Sequence, residues 1–175
     1  MLELIPRSLE YLQGYKEYSR ELYEADVIFF RPVPPDNIDE GWFIRTKPVY
    51  DAKERGELPG QSKAFHYWAV DGGKFIGELQ IRTEFTEKVL NDIGSIGYAV
   101  RPSEWGKGYG TELIRLGLAK AKELGMERLL FTVNEENPRS AHVIEKCGGV
   151  LTDTIDAYND AEGLHRLRRY WIELS

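Results

Sequence analysis

Only one cysteine, Cys147, stands in the 175 residues, so no internal disulfide can staple this fold, and a reducing compartment is its natural setting. No apolar run approaches the ~20 residues that a membrane-spanning helix needs. The opening residues, Met-Leu-Glu-Leu-Ile-Pro-Arg, lack the apolar core of a secretion signal, and the expected location is the cytoplasm. Blocks of like charge are missing as well. Net charge is −6, and the nearest approach to a basic block, Arg166, Arg168 and Arg169, alternates along a late strand. Neither nucleic acid nor a membrane is therefore an expected partner. An acidic surface weakly favours a cationic amine, although solubility accounts for it equally well. Without repeats, low-complexity tracts or linkers, residues 1–175 read as one domain, and 42% hydrophobic content gives it a real core.

What is present is organised around residues 96–111, Ile-Gly-Tyr-Ala-Val-Arg-Pro-Ser-Glu-Trp-Gly-Lys-Gly-Tyr-Gly-Thr. The apolar start, up to Val100, reads as a buried strand that Arg101-Pro102 stops. Gly106, Gly108 and Gly110 alternate, and behind them Leu113, Ile114, Gly117, Leu118, Ala121 and Leu124 share one helical face. A strand, a glycine turn and a helix start together make an anion site. The first helical amides have no internal partner, the dipole is positive there, and glycines keep side chains out of the way. A Walker-loop reading is weak because Lys107 is wrongly placed. A dinucleotide reading is weak too, since the spacing is Gly-x-Gly-x-Gly, although Glu135 lies where a ribose-binding acid is expected; a nucleotide-binding α/β protein stays as a third reading.

The remaining elements follow from punctuation and period. A strand is expected at 2–5 and a helix at 9–25, with Tyr11, Tyr15, Tyr18 and Leu22 on one packing face. Residues 29–35, Phe-Phe-Arg-Pro-Val-Pro-Pro, break that helix. Asp36-Asn37 is expected to cap the next segment, which Pro48 divides into two short helices; Trp42, Phe43 and Tyr50 either pack in the core or line a pocket. Strands at 65–70 and 74–84 flank an Asp-Gly-Gly turn. A partly helical stretch at 85–91 leads into the strand 92–100. After the helix come a strand at 128–133, a helix opened by Asn137-Pro138, and strands at 150–158 and 167–174.

Residues 100–110, Val-Arg-Pro-Ser-Glu-Trp-Gly-Lys-Gly-Tyr-Gly, resemble the acetyl-CoA signature of the GCN5-related N-acetyltransferases (GNAT), Arg/Gln-x-x-Gly-x-Gly/Ala after a strand ending Val-x-Pro. Gly108 and Gly110 match the small positions; Trp105 replaces the arginine or glutamine. The resemblance covers the chain from about Phe65 onward. It implies an α/β (α+β) fold, a mixed central sheet of about seven strands with flanking helices in the order β-α-α-β-β-β-α-β-α-β-β. It also implies transfer of an acetyl group from acetyl-CoA to a primary amine of a small molecule or peptide, by direct attack in a ternary complex and with no metal. GNAT proteins often dimerise, which admits a homodimer. The alternative is a non-catalytic acyl-CoA-binding module.

By the same resemblance, the turn of Trp105, Gly106, Lys107, Gly108, Tyr109, Gly110 and Thr111 holds the pyrophosphate. The central strand splays from its neighbour after Val100, and main-chain groups of Ala99 and Val100 bond the pantetheine arm. A main-chain NH near Tyr98 or Ala99 faces the thioester oxygen. Asn134 either touches the coenzyme or caps a loop, Asn137 is foremost a helix cap, and Ser140 lies within reach of the coenzyme. Of the carboxylates within reach, Glu78 and Glu84 share a strand side with Gln80 and Arg82 and read as solvent-facing; Glu84 and Asp92, at strand ends, are the better-placed bases. The family's acidic tyrosine is Ile144 here; Tyr98, Tyr109 and His142 are the substitutes. Cys147, at a helix C-terminus, reads as packing rather than an acyl carrier.

Overall fold

The structure is a computed structural model that describes residues 1–27, 32–160 and 162–175. The expected break at Phe29, Phe30 and Arg31 lies outside the described residues. Strand β1 (Glu3–Ile5) leads into α1 (Leu12–Glu24), which bears Tyr15, Tyr18 and Leu22 on the buried face that their spacing predicts. Next comes α2 (Glu40–Arg55), a single helix rather than two. Pro48 removes a bond to the carbonyl of Ile44, but both residues are exposed, so water takes that carbonyl and the helix continues. Its cap is not Asp36-Asn37, which belong to a 3-10 turn, but Asp39, whose carboxylate accepts from the Trp42 amide at 2.6 Å.

Strands β2 (Ala64–Asp71), β3 (Lys74–Arg82) and β4 (Ile96–Val100) form an antiparallel meander with β1 at its edge. Helix α3 (Tyr109–Glu123), β5 (Arg128–Asn134), α4 (Pro138–Lys146), β6 (Val150–Asn159) and β7 (Gly163–Glu173) complete the predicted order. The last three strands pair antiparallel as β5-β7-β6. Strand β7 starts at Gly163 rather than at Leu167, and β4 starts at Ile96 because Val89–Ile93 winds into one π-helical turn. Arg166, Arg168 and Arg169 each face a carboxylate, of Asp156, Glu135 and Asp153 respectively. No helix among the described residues is long and apolar enough to cross a membrane.

The two ladders meet at one residue. Buried Ser95 donates its amide to the Leu130 carbonyl at 2.9 Å, and its hydroxyl accepts the Leu130 amide at 2.7 Å. Its own carbonyl accepts from the Arg82 amide at 2.7 Å, so Ser95 joins β3 to β5. Beyond it, β4 and β5 form no ladder. The strands therefore part at Ser95, not after Val100. One core packs Leu79, Ile81, Ile96, Leu113, Phe131 and Ile144 beneath α3 and α4. The other packs Tyr15, Tyr18, Trp42, Phe43, Trp68 and Phe75 beneath α1 and α2. Buried Arg101 fastens the two ends: its guanidinium binds Glu21 of α1 and the Phe75 carbonyl, and the other Glu21 oxygen accepts the Ser103 amide at 3.0 Å. Burial alone raises the Glu21 carboxyl, but the bonds from Arg101 and Ser103 outweigh it and leave the group below its ordinary value.

Replacing Ser95 by Ala strands the Leu130 amide in the core. The expected loss is roughly 1–3 kcal/mol, a fall of roughly 3–10 °C in Tm for a chain of this size, read by thermal and urea unfolding.

Candidate active site

Beyond the strand end, Pro102–Glu104 makes a single 3-10 turn, and Gly106 and Gly108 then take φ of +78° and +89°. Only glycine holds such angles without strain. Gly108 is the N-cap of α3 and brings no side chain to cover it. The first helical bond is Glu112 to Gly108, at 3.1 Å, so the amides of Tyr109, Gly110 and Thr111 have no partner inside the helix. These amides line a cleft of ≈ 1290 Å³ that opens where β4 and β5 part, and Tyr98, Val100, Asn134 and Ser140 line it too. Lys107 does not. Its ammonium and that of Lys74 bind Glu104, which they hold below the usual carboxylate range, and the Tyr109 hydroxyl donates to Asp71 at 2.8 Å. These side chains anchor the turn; its main chain is what faces the cleft.

Strand β4 divides its main-chain groups between two neighbours. Ser95 and Arg101 bond to β3, so by the two-residue alternation of an antiparallel pair Gly97 and Ala99 bond to β3 as well. Ile96, Tyr98 and Val100 turn theirs toward the cleft. Ala99, expected to serve a ligand, is thus spent on Glu78. A Cβ on Gly77 would lie 2.1 Å from the Ala99 carbonyl oxygen, so only glycine lets β4 approach this closely. Trp105, in place of the signature arginine, donates its indole NH to the Val100 carbonyl at 2.8 Å, and Arg139 stacks 4.1 Å from its ring.

Across the cleft, Asn134 caps a turn. Its Oδ1 accepts the Glu136 amide at 2.9 Å, and its Nδ2 donates to Glu162 at 2.7 Å. Asn137 caps α4 by accepting the Ser140 amide at 3.3 Å. The Ser140 hydroxyl meets that of Tyr98 at 2.9 Å, and burial pushes the Tyr98 phenol up to about 12. Ile144 is wholly buried, His142 is exposed at the rim, and Cys147 packs beside Thr111 with its thiol raised by burial.

Of the carboxylates, Glu84 is exposed and accepts the Lys63 amide at 2.9 Å; it caps a loop away from the cleft. Asp92 lines the cleft beside Gln80 and Arg82, in the π-helical turn rather than on β4. Glu78 is on the strand side that alternation gives it, but that side is covered rather than open to solvent. Opposite Trp68 and Ala99 in the ladder, it lies half-buried under α1 and accepts a bond from the Tyr18 hydroxyl at 3.0 Å. Desolvation pushes its carboxyl up to about 7 against the bond from Tyr18. The signal that could have found it was in β2: His66 and Trp68 share its face, and a tyrosine-faced helix needs such a face to cover.

A family model described as the acetyltransferase (GNAT) domain matches residues 15–150. The chain belongs to the GNAT acetyltransferase family. Among solved structures of this fold, RimJ of Mycobacterium smegmatis in complex with CoA-disulfide is 17% identical at a TM-score of 0.77, the match covering 98% of this chain and 81% of that one. A microcin C7 self-immunity acetyltransferase in complex with acetyl-CoA and AMP is 16% identical at 0.75, covering 98% and 92%. The spermidine N-acetyltransferase of Vibrio cholerae in complex with CoA and spermine is 19% identical at 0.71, covering 99% and 95%.

In this GNAT chain the open amides at the start of α3 and the bare turn before them fit a diphosphate. A Cβ at Gly106 or Gly108 meets nothing within 4 Å, so backbone angle, not crowding, is what requires glycine there. Gly108→Val is therefore expected to twist the turn and weaken CoA binding on the order of 100-fold by calorimetry, well beyond any change in Tm.

Proposed function

We propose that this chain, acting over residues 1–175 as one domain, transfers an acetyl group from acetyl-CoA to the primary amine of a small molecule or peptide. The observation that carries this reading is the pairing of an uncovered helix start on one side of β4 with a raised, half-buried carboxyl on the other. The amides of Tyr109, Gly110 and Thr111 would hold the diphosphate, and the cleft-facing groups of Tyr98 and Val100 would hold the arm that leads from it. The bound coenzyme supplies an activated thioester. The Tyr98 amide is the donor placed for charge developing on the thioester oxygen.

An amine with a pKa of about 10 is charged at neutral pH and must lose a proton before it attacks. Glu78, titrating near 7, is ionised in time to take it while remaining a competent acid afterwards. One nitrogen–carbon bond replaces one carbon–sulfur bond; of the two protons the ammonium gives up, one passes to Glu78 before attack and the other, released as the amide forms, goes to the departing sulfur. The departing sulfur, with a thiol pKa of ~8.5, needs little help; the Tyr98 hydroxyl beside Ser140 is placed to donate to it. A non-catalytic binding module has no use for a carboxyl that burial raises toward neutrality beneath Tyr18, which favours catalysis.

Glu78→Gln keeps an acceptor for Tyr18 and removes the base. The expected result is a fall in kcat on the order of 10²–10³-fold, with acetyl-CoA affinity unchanged. In the parent protein kcat should rise with pH through about 7, and this limb should vanish in the variant. The stability sign is opposite. Folding raises this carboxyl, so the folded state keeps a proton that the unfolded chain gives up at a lower pH. Stability then falls as pH climbs toward 7, and the glutamine variant should melt no lower than the parent at pH 8. A variant with full activity and an unchanged pH limb would remove Glu78 from the mechanism.

A further inference from the structure

The wall beside Glu78 is basic, in a protein that is acidic as a whole. On the α1–α2 side of the sheet, β2 presents His66 and Trp68, and β3 presents Glu78, Gln80 and Arg82, with His66 directly opposite Gln80. Helix α2 covers this face with Tyr50, whose ring meets that of His66 edge-on at 4.6 Å. Three cations surround the pair. The Arg7 guanidinium lies 3.8 Å from the Tyr50 ring and donates to the Thr46 hydroxyl, and the Lys53 ammonium lies 5.3 Å from the same ring. Arg82 donates to the Gln80 side chain and to the carbonyls of Ile93 and Gly94.

None of the three has a carboxylate within ion-pair distance among the described residues; Asp92 acts on Arg82, and Glu78 and Asp51 on Arg7, only from farther off. Half-buried cations whose partners are only neutral oxygens and a ring are stabilised further when something anionic arrives. His66 adds a second deficit: its Nδ1 is buried with no hydrogen-bond partner among the described residues. Burial and the three neighbouring cations hold that imidazole down to about 3, so it is neutral at physiological pH and has a nitrogen to spare. Gln80 and Arg82 also line the cleft, with Asp92 beside them, so this wall reaches the cleft edge two strand residues from Glu78.

We infer that the acceptor is an amine that carries an anionic group, a carboxylate or a phosphate, which Arg7, Lys53, Arg82 and His66 receive while its amine lies at Glu78. This rests on the acetyltransferase reading above and narrows its substrate class. Glu78 and Gln80 are two strand residues apart, roughly 7 Å, so a spacer of a few carbon atoms must separate the two groups, as in an ω-amino acid or an aminoalkyl phosphate. A polyamine brings charge of the wrong sign to this wall.

The test compares γ-aminobutyrate with its amide, aminoethyl phosphate with ethanolamine, and both anionic acceptors with spermidine. Anionic acceptors should exceed their neutral counterparts at least tenfold in kcat/KM, and the two pairs distinguish carboxylate from phosphate. Lys53→Met breaks no hydrogen bond or ion pair, and should raise KM about tenfold for the anionic acceptors without changing kcat or the neutral ones. Equal use of neutral acceptors, or preference for spermidine, overturns the inference. Tryptophan fluorescence, with Trp42 and Trp68 beside the wall, gives a readout without turnover. Saturable binding of inorganic phosphate or γ-aminobutyrate that weakens in Lys53→Met supports the site, and no saturation with either overturns it. Calorimetry with acetyl-CoA keeps the two claims apart: no binding there sinks the acetyltransferase reading, whatever the anion titration gives.

Discussion

A serine hydroxyl standing in for a missing ladder bond is the constraint on which the molecule turns. At Ser95 the two halves of the sheet share their last main-chain partners, and past it β4 and β5 separate. A sheet that continued to pair would bury the amides and carbonyls of Tyr98 and Val100 against β5. Because it does not, the main chain of Tyr98 and the Val100 amide stay open to the cleft, the Val100 carbonyl is taken by the Trp105 indole, and the start of α3 is left looking into the gap. Buried backbone polar groups need partners, and the open ones are what a ligand can satisfy.

The two faces of β4 are built from different materials. Toward α3 and α4, Ile96, Tyr98 and Val100 join an aliphatic core whose helices position the glycine turn. Toward α1 and α2 the strand shows only Gly97 and Ala99, small enough for the chemistry of β3 to be felt across it. Rings of Tyr15, Trp42, Trp68 and Phe75 stack and edge against one another there, with centroids 4.8 to 5.7 Å apart. That dry surround pushes Glu78 toward neutrality and leaves charges nearby expensive to bury. In the proposed function, binding of the coenzyme and handling of the acceptor thus fall to opposite sides of a single strand.

Much of this was written locally in the sequence, and the exceptions have definite causes. The order of elements, the helix face of Tyr15, Tyr18 and Leu22, and the glycine turn follow from period and punctuation, which act over a few residues. Pro48 misled because the cost of a proline depends on whether the orphaned carbonyl reaches water, and its neighbours' exposure is a tertiary fact. Glu78 misled for a related reason. Alternation assigns Glu78, Gln80 and Arg82 to one face correctly, but nothing local tells that α1 and α2 cover it. Asn134 was legible only as two alternatives, since its choice of the Glu136 amide and Glu162 depends on a contact 28 residues away.

Glu21 deserves its place in this picture through what its two oxygens hold. One binds the guanidinium at the end of β4, and the other takes the amide of Ser103, within the 3-10 turn that precedes the glycines. Helix α1 carries Tyr18, and Tyr18 holds Glu78. One carboxylate thus ties the turn before the glycines to the helix whose Tyr18 bonds Glu78, by a route that does not pass through the aliphatic core.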